Sequence, residues 1–334
     1  MSAAPAACLE ATSPALEFFI FGNPVGMSPS PDMHNAGFAV NGYAHRYSRF
    51  DTPDASAVLA KLAEPSCGGG SVTIPHKESV MPGMTSLSAA AKRIGAVNTI
   101  TKGTDGKLHG DNTDWLGIKA QLEARRRRSG APALGAGEGV ALICGAGGTA
   151  KAAAYALQEM GLSLVIIHNR THERAVALAA EFGAGFVASE VPAVDLEKAG
   201  RLDYVVCTLP GSTGFIVGEG VAALLPKYKP MCLEASYIPR RTAFTAQATD
   251  AGCEVVEGIE MLFEQGCAQC EIWTGTHAPR AVIAQTLLGA LFGASADHPA
   301  HTMMEPRIEK PPSLVAEAAL GAAAVARKRK RVVD

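Results

Sequence analysis

The segment VALICGAGGTA at residues 140–150 decides the fold class of this chain. Its first half is apolar and has the composition of a buried strand. Gly145, Gly147 and Ala150 follow in a Gly-x-Gly-x-x-Ala pattern, and a helical segment then leads to a second apolar strand at residues 162–170. A strand, a glycine turn, a helix and a strand within about 30 residues predict a βαβ unit with parallel strands.

The glycine turn has the features of a dinucleotide site. Gly145 permits the tight turn, Gly147 lets a pyrophosphate approach the backbone, and Ala150 allows close helix packing. The N-terminus of the following helix adds N–H groups and a positive dipole. We therefore predict a Rossmann-type site, with a glycine turn that binds no ligand as the alternative. The predicted cofactor contacts in the turn are Gly145, Ala146, Gly147, Gly148, Thr149 and Ala150.

The end of the second strand indicates which dinucleotide is bound. Sites selective for NAD place a carboxylate there, whereas this chain has His168-Asn169-Arg170-Thr171. A guanidinium can grip a 2′-phosphate with two hydrogen bonds, and a carboxylate would repel it. We predict NADP as the cofactor, contacted by Asn169, Arg170 and Thr171. The alternative is that Arg170 is a surface residue at the start of the next helix.

Another α/β region precedes this unit. Apolar runs alternate with helical segments, which predicts a mainly parallel sheet covered by helices. The predicted elements are a strand at 17–21, a helix from 31, a strand at 45–50, a helix at 55–63, and a strand at 71–74 that Gly68-Gly69-Gly70 leads into. A Gly/Ala/Pro linker follows a helix that ends in Arg125 to Arg128, which we interpret as a solvated helix end.

Composition excludes several classes of protein. The 334 residues carry a net charge of −2, so no global field favours nucleic acid, and no apolar run is long enough to cross a membrane. Eight scattered cysteines indicate a reducing compartment, and we predict a cytoplasmic protein. Cys267 and Cys270 have no second pair at zinc-ribbon distance, so we interpret them as packing residues and predict no metal site.

Five segments together resemble the shikimate dehydrogenase family, most closely the module at the C-terminal end of the fungal pentafunctional AROM protein. These segments are GNPVGMSPSPDMHN (22–35), GGSVTIPHK (69–77), GAVNT (95–99) with HGDNTDWLG (109–117), GAGGTAKAA (145–153) with NRT (169–171), and GIEMLFEQG (258–266). The resemblance covers about residues 17–290. It implies two domains with the active site in the cleft between them, a shikimate or 3-dehydroshikimate substrate, and a place within or beside other shikimate-pathway activities.

The resemblance also implies roles for individual residues. Lys77 and Asp114 would be the catalytic pair, and the chemistry agrees, because reducing a ketone forms an alkoxide that needs a proton donor. Ser28 and Ser30 would hold the substrate carboxylate, with Tyr237 nearby. The residues implied to bind the ring hydroxyls are Thr73, Asn98 and Gln265. Further cofactor contacts are predicted at Thr208 and Gly258.

The implied organisation has six parts. They are a disordered leader (1–15), a substrate-binding catalytic domain (16–120), a linker (121–138), a Rossmann NADP-binding domain (139–258), C-terminal helices that return to the substrate domain (259–290), and a disordered tail (291–334). Residues Met27 and Ser71 and the stretch Cys207-Thr208-Leu209 depart from the usual family pattern. We expect NADP-dependent interconversion of 3-dehydroshikimate and shikimate. The alternatives are a quinate dehydrogenase and a non-catalytic regulator of the quinate pathway.

Overall fold

The computed structural model of the protein describes residues 14–293. Within this range the chain forms two six-stranded sheets, one in each half of the sequence, and helices cover both. Most of the predicted leader and tail, including Cys8 and the basic residues 327–331, lies outside the described residues.

The first sheet has the strand order β2-β1-β3-β5-β6-β4. Its strands are β1 (Glu17–Gly22), β2 (Arg46–Asp51), β3 (Cys67–Val72), β4 (Ser86–Leu87), β5 (Thr99–Lys102) and β6 (Leu108–Asp111). Strand β5 runs antiparallel to β3 and β6, and the other neighbours are parallel. The helices of this half are α1 (Ser30–Val40), α2 (Ala55–Ala63), α3 (Ala89–Ile94) and α4 (Asp114–Arg128).

The glycine run Gly68-Gly69-Gly70 lies inside β3 and does not precede it. The predicted strand at 71–74 was therefore misplaced, since Thr73 and Ile74 follow the strand. A Cβ on Gly70 would lie 2.2 Å from the Phe19 carbonyl oxygen, and one on Gly69 would lie 2.1 Å from the Ile100 carbonyl oxygen. Glycine is required here because β1 and β5 approach too closely for a side chain. As a result Thr73 and Lys77 lie in the loop at the carboxyl end of β3.

The second sheet is parallel throughout, in the order β12-β11-β10-β7-β8-β9. Its strands are β7 (Val140–Cys144), β8 (Leu164–His168), β9 (Phe186–Ala188), β10 (Tyr204–Cys207), β11 (Met231–Glu234) and β12 (Val255–Val256). Its helices are α5 (Gly148–Glu159), α6 (His172–Phe182), α7 (Pro192–Ala199), α8 (Glu219–Tyr228) and α9 (Ala243–Asp250). The strand order reverses between β7 and β10, so the glycine turn after β7 opens at the switch point where such sheets bind ligands.

The last two helices, α10 (Gly258–Thr274) and α11 (Arg280–Phe292), pack on the first half of the chain. Helix α10 lies against α4 and α1, and α11 lies against α1. An ion pair holds α10 on α4, because Arg125 binds Glu260 at 2.9 Å. A second ion pair, between Arg280 and Glu264, joins α11 to α10. The interpretation of Arg125 as part of a solvated helix end was therefore wrong. Its guanidinium also donates to the carbonyl of Val255 at 2.6 Å. No charge pattern in the sequence identifies these contacts of Arg125.

Cys267 and Cys270 are both fully buried on α10, where they pack in the core as predicted. All seven cysteines in the described range are free thiols. Among residues 14–293, no helix has the length and apolar character needed to cross a membrane.

Candidate active site

A cavity of about 430 Å³ lies between the two halves of the molecule. Loops at the carboxyl ends of β3 and β10 and the first turns of α4 and α10 contribute to its walls. The sequence placed eight residues in catalysis or substrate binding, and the structure brings all eight to this cavity. They are Ser28, Ser30, Thr73, Lys77, Asn98, Asp114, Tyr237 and Gln265.

The proposed catalytic pair forms a direct ion pair. The Lys77 Nζ lies 2.5 Å from Asp114 Oδ2, and the two side chains are only 12% and 7% exposed. Asp114 is the first residue of α4, where the helix dipole stabilises a negative charge. The other carboxylate oxygen accepts a hydrogen bond of 2.7 Å from Asn98 Nδ2. This arrangement holds an ammonium, with its protons, at the wall of the cavity, as a proton donor to a reacting oxygen must be held.

Three hydroxyl groups gather on another wall of the cavity. Ser28 Oγ donates to Ser30 Oγ at 3.1 Å, and the Ser30 N–H donates back to Ser28 Oγ at 3.3 Å. The Tyr237 hydroxyl lies beside them; burial raises its pKa, and its hydrogen bond to Ser28 and the nearby Arg49 charge oppose that rise. Hydroxyl donors converging in this way suit a carboxylate ligand.

Asn98 and Gln265 form a polar wall beside the Lys77–Asp114 pair. Besides Asp114, the Asn98 amide donates to Gln265 Oε1 at 3.3 Å. Gln265 donates in turn to the Leu262 carbonyl at 3.0 Å, which orients its side-chain amide on α10. Thr73 lies in the loop after β3 and also lines the cavity. A polyhydroxylated ring would find both donors and acceptors along this wall.

The glycine turn approaches the cavity from the second half of the molecule. Gly145 has a φ of +121°, and a Cβ there would lie 2.3 Å from Thr208 Oγ1, so a side chain is excluded. No described atom lies within 4 Å of a Cβ built on Gly147, which leaves its backbone accessible to a ligand. Thr149, in the first turn of α5, receives a hydrogen bond of 3.4 Å from Lys77. The residues here therefore fit a dinucleotide whose reactive end reaches the catalytic pair.

The predicted 2′-phosphate residues lie further out. Arg170 and Thr171 are exposed, and Asn169 donates to the Thr171 carbonyl at 2.9 Å just before α6. None of these three residues lines the cavity. Of the other predicted cofactor contacts, Thr149, Thr208 and Gly258 line the cavity. Those that do not line it are Gly145, Ala146, Gly147, Gly148 and Ala150. Arg174 was missed by the sequence analysis. It lies one turn into α6, with its guanidinium 3.4 Å from the Ala146 carbonyl, and the basic spacing Arg170-x-x-x-Arg174 was the available signal.

Two further cavity neighbours were also missed. Arg49 donates to the Ser28 carbonyl through Nε at 3.1 Å and Nη2 at 2.5 Å, which fixes the serine loop against β2. Gln269, one turn after Gln265 on α10, lines the cavity and is 1% exposed. Helical spacing from Gln265 could have identified Gln269, whereas no local signal joins Arg49 to a loop some twenty residues earlier.

Of the residues that depart from the family pattern, Met27, Ser71, Thr208 and Leu209 line the cavity, whereas Cys207 is buried in β10. Met27 is exposed at its rim, and Ser71 is buried with its hydroxyl bound to that of Tyr47. Thr208 Oγ1 donates to the Cys144 carbonyl at 3.0 Å, which ties the loop after β10 to the end of β7. These contacts leave the ion pair of Lys77 and Asp114 intact.

Comparison with known proteins identifies the family. Three family models match the chain: the shikimate dehydrogenase substrate binding domain at residues 20–100, shikimate / quinate 5-dehydrogenase at 135–233, and the shikimate 5′-dehydrogenase C-terminal domain at 258–288. A solved shikimate 5-dehydrogenase from Thermus thermophilus, described as in complex with NADP(H) and shikimate, is 34% identical. The match covers 83% of this chain and 100% of that one, with a TM-score of 0.69. The chain belongs to the shikimate dehydrogenase family.

Fungal members of the family are also similar. The pentafunctional AROM polypeptide of Yarrowia lipolytica is 41% identical over 287 residues, which is 82% of this chain and 18% of that protein. A solved structure of dehydroquinate dehydratase and shikimate dehydrogenase from S. pombe AroM is 32% identical. It has a TM-score of 0.68, and the match covers 82% of this chain and 53% of that one. The chain thus spans under a fifth of the length of the first curated relatives that it matches.

These findings confirm the resemblance to the shikimate dehydrogenase family and its AROM branch. They also confirm the predicted fold class, α/β in two parts with a Rossmann-type second half. The assignment of individual site residues remains a prediction.

Proposed function

We propose that the chain catalyses the reversible NADP-dependent reduction of 3-dehydroshikimate to shikimate. The observation that carries the proposal is the 2.5 Å ion pair between Lys77 and Asp114, held in a cavity that also contains the Ser28-Ser30 hydroxyl cluster. A site with an anion-binding wall and a buried proton donor suits a small ketone that also carries a carboxylate. The names of the similar proteins, shikimate dehydrogenase and the AROM polypeptide, agree with this substrate.

Each residue of the site has a separate role in the reaction. NADPH supplies the hydride when it is bound. Lys77 donates the proton that neutralises the oxygen of the reduced ketone, and the Asp114 carboxylate holds the ammonium in place and stabilises its charge. Asn98 holds Asp114, and the serine hydroxyls fix the carboxylate end of the ring so that its ketone faces Lys77. In the reverse direction, neutral Lys77 accepts the alcohol proton.

The cofactor is NADP because the accessible glycine turn is followed by Asn169 and Arg170 and not by an acid. Arg174 adds a second guanidinium at the same helix terminus. We assign residues 16–120 and 259–290 to the substrate side and 139–258 to the cofactor side. Association with other shikimate-pathway activities also belongs to the proposal, and the similarity to AROM polypeptides supports it. A cytoplasmic location belongs to it as well, and the free thiols of the described cysteines support that location.

The experiment that tests the proposal is a spectrophotometric assay at the NADPH absorbance band. Shikimate and quinate are each offered with NADP and with NAD, and Lys77→Ala serves as the matched inactive enzyme. We expect turnover of shikimate with NADP that falls about 100-fold or more in Lys77→Ala. A higher kcat/KM for quinate with NAD would instead establish the quinate dehydrogenase. Binding of shikimate without turnover by any pair would establish the non-catalytic regulator.

A further inference from the structure

A buried chain of hydrogen bonds runs from α1 to the catalytic pair. His34 Nε2 lies 3.3 Å from Gln269 Oε1, and Gln269 Nε2 reaches the Thr99 hydroxyl at 3.0 Å and the Asn98 carbonyl oxygen at 3.2 Å. Thr99 donates to Asn98 Oδ1 at 2.7 Å, and Asn98 Nδ2 donates to Asp114 at 2.7 Å. His34, Gln269, Thr99 and Asn98 are each no more than 2% exposed.

The direction of each hydrogen bond follows from groups that can play only one role. The main-chain carbonyl of Asn98 is an acceptor, so the Gln269 atom facing it must be the NH₂ group. The Gln269 oxygen therefore faces His34, and His34 must carry its proton on Nε2. At the other end, the Thr113 N–H donates to Asn98 Oδ1 at 2.7 Å, which turns the Asn98 NH₂ toward Asp114.

His34 is suited to this role because it stays neutral. Burial lowers its pKa to about 3, an effect that outweighs its hydrogen bond to Gln269. Its Nδ1 atom is buried and has no hydrogen-bond partner among the described residues, as expected of a lone pair on the neutral Nε2–H form. The ring stacks on that of Tyr47, with the centroids 4.6 Å apart, and packs edge-on against Trp273.

Gln269 has no N–H group left to donate to a ligand. Its two N–H groups are engaged with Asn98 and Thr99, and its oxygen is engaged with His34. Although Gln269 lines the cavity, both of its donors are directed at Asn98 and Thr99, so we expect it to act on the reaction through Asn98. It also links α10, which carries Gln265, to β5 and the segment that precedes it.

We propose that Gln269, oriented by His34, is a positioning residue for Asn98. It binds the main-chain carbonyl of Asn98 directly, and it binds the side-chain oxygen of Asn98 through the Thr99 hydroxyl. Asn98 is thereby kept on Asp114, and Asp114 on Lys77. The inference rests on the proposed function, because its effect is measured on that reaction. It extends the site beyond the residues that the sequence analysis assigned.

Substitutions that distinguish one hydrogen bond from general destabilisation test the proposal. Gln269→Leu removes the contacts to Asn98 and Thr99, and we expect kcat to fall about 3- to 10-fold, the net contribution of one or two hydrogen bonds, with an unchanged KM for NADP. The matched control is Thr274→Val, which removes a buried hydroxyl from the same helix, where it donates to the Cys270 carbonyl at 2.7 Å. The control is expected to lower the melting temperature but to keep kcat. Equal kcat losses in both variants would overturn the proposal.

Conservative replacements of His34 sharpen the test. The amide of Gln reaches about as far as imidazole Nε2, whereas that of Asn reaches only as far as Nδ1. His34→Gln should therefore retain kcat, and His34→Asn should lose it to the same extent as Gln269→Leu. If Gln and Asn give the same kcat, the Nε2–H contact does not position Asn98 and the proposal fails.

A measurement independent of turnover completes the test. In ¹⁵N-labelled protein, the His34 resonance, assigned by its loss in His34→Gln, should report the neutral Nε2–H form between about pH 5 and pH 8. An Nδ1–H or charged ring would overturn the proposed order of hydrogen bonds. If the wild-type chain does not turn over shikimate, the proposed function fails separately, and the NMR result still decides whether His34 orients Gln269.

Discussion

The two sides of the cavity are built in different ways. On the substrate side, Lys77, Asp114 and Asn98 are largely buried and are bonded to one another through their side chains. On the cofactor side, the contacts predicted in the glycine turn are mainly backbone groups, and Arg170 is exposed. The difference shows that the proposed reacting groups are held by contacts within the protein, whereas the cofactor side presents mainly backbone groups and an exposed arginine.

This contrast separates the expected effects of substitutions. Removing a member of the buried network leaves its partner unsatisfied in a site where water cannot easily replace it, so the effect should fall on kcat. Removing an exposed guanidinium leaves only solvent behind, so the effect should fall on the affinity for one ligand. The predictions below test that separation.

The largest effect is expected on the buried side. Lys77→Ala should lower kcat by about 100-fold or more while changing the KM for shikimate little, because the proton donor acts mainly in the transition state. Steady-state kinetics check this. Since Lys77 and Asp114 are in contact, the losses of Lys77→Ala and Asp114→Ala should not add in the double variant. Full additivity would mean that the two residues act separately.

On the exposed side, Arg170→Ala should weaken NADP binding by about 10- to 150-fold, the loss of one charge-assisted hydrogen bond. The affinity for NAD should stay unchanged, because NAD has no 2′-phosphate. Cofactor titrations of wild type and variant measure both values, and Arg127→Ala, an exposed arginine at the end of α4, is the control. Equal losses for both cofactors would point to a disturbed fold and remove the phosphate contact from the proposal.

A smaller effect is expected at the serines. Ser28→Ala should raise the KM for shikimate about tenfold, the lower limit for a hydrogen bond to a charged group, because Ser30 remains to bind the carboxylate. The KM for NADP serves as the internal control and should not change. A variant that lost affinity for NADP alone would place the serine loop on the cofactor side.

The last expected effect is on stability and not on the reaction. The pKa of His34 is lowered from 6.5 to about 3 in the folded protein. Between these two pH values the unfolded chain is protonated at His34, whereas the folded protein is not. The His34 contribution to stability is thus complete above pH 6.5 and declines as the pH falls toward 3, by up to about 1.4 kcal/mol per pH unit. Urea unfolding across this range should show a shallower pH dependence in His34→Gln. Parallel curves for the two proteins would contradict the buried, neutral ring.

Much of the cavity could be predicted because its residues lie in short motifs. The glycine turn at Gly145 requires specific backbone geometry, and Lys77 and Asp114 stand in segments that match a family. The strand at 71–74 was misplaced because the three glycines have low strand propensity when considered alone. Their place in β3 depends on contact with Phe19 and Ile100, which are distant in sequence.

The sequence by itself determined the alternation of strands and helices at the start of each half, the dinucleotide turn and the family, because each depends on short motifs and local spacing. Only the tertiary structure showed that Arg125 pairs with Glu260, that Arg49 holds the Ser28 loop, and that His34 and Gln269 support Asn98. The physical reason is that buried polar groups must find partners wherever the fold brings them. His34 and Gln269 are 235 residues apart in the chain, and no local pattern encodes a hydrogen bond over that separation.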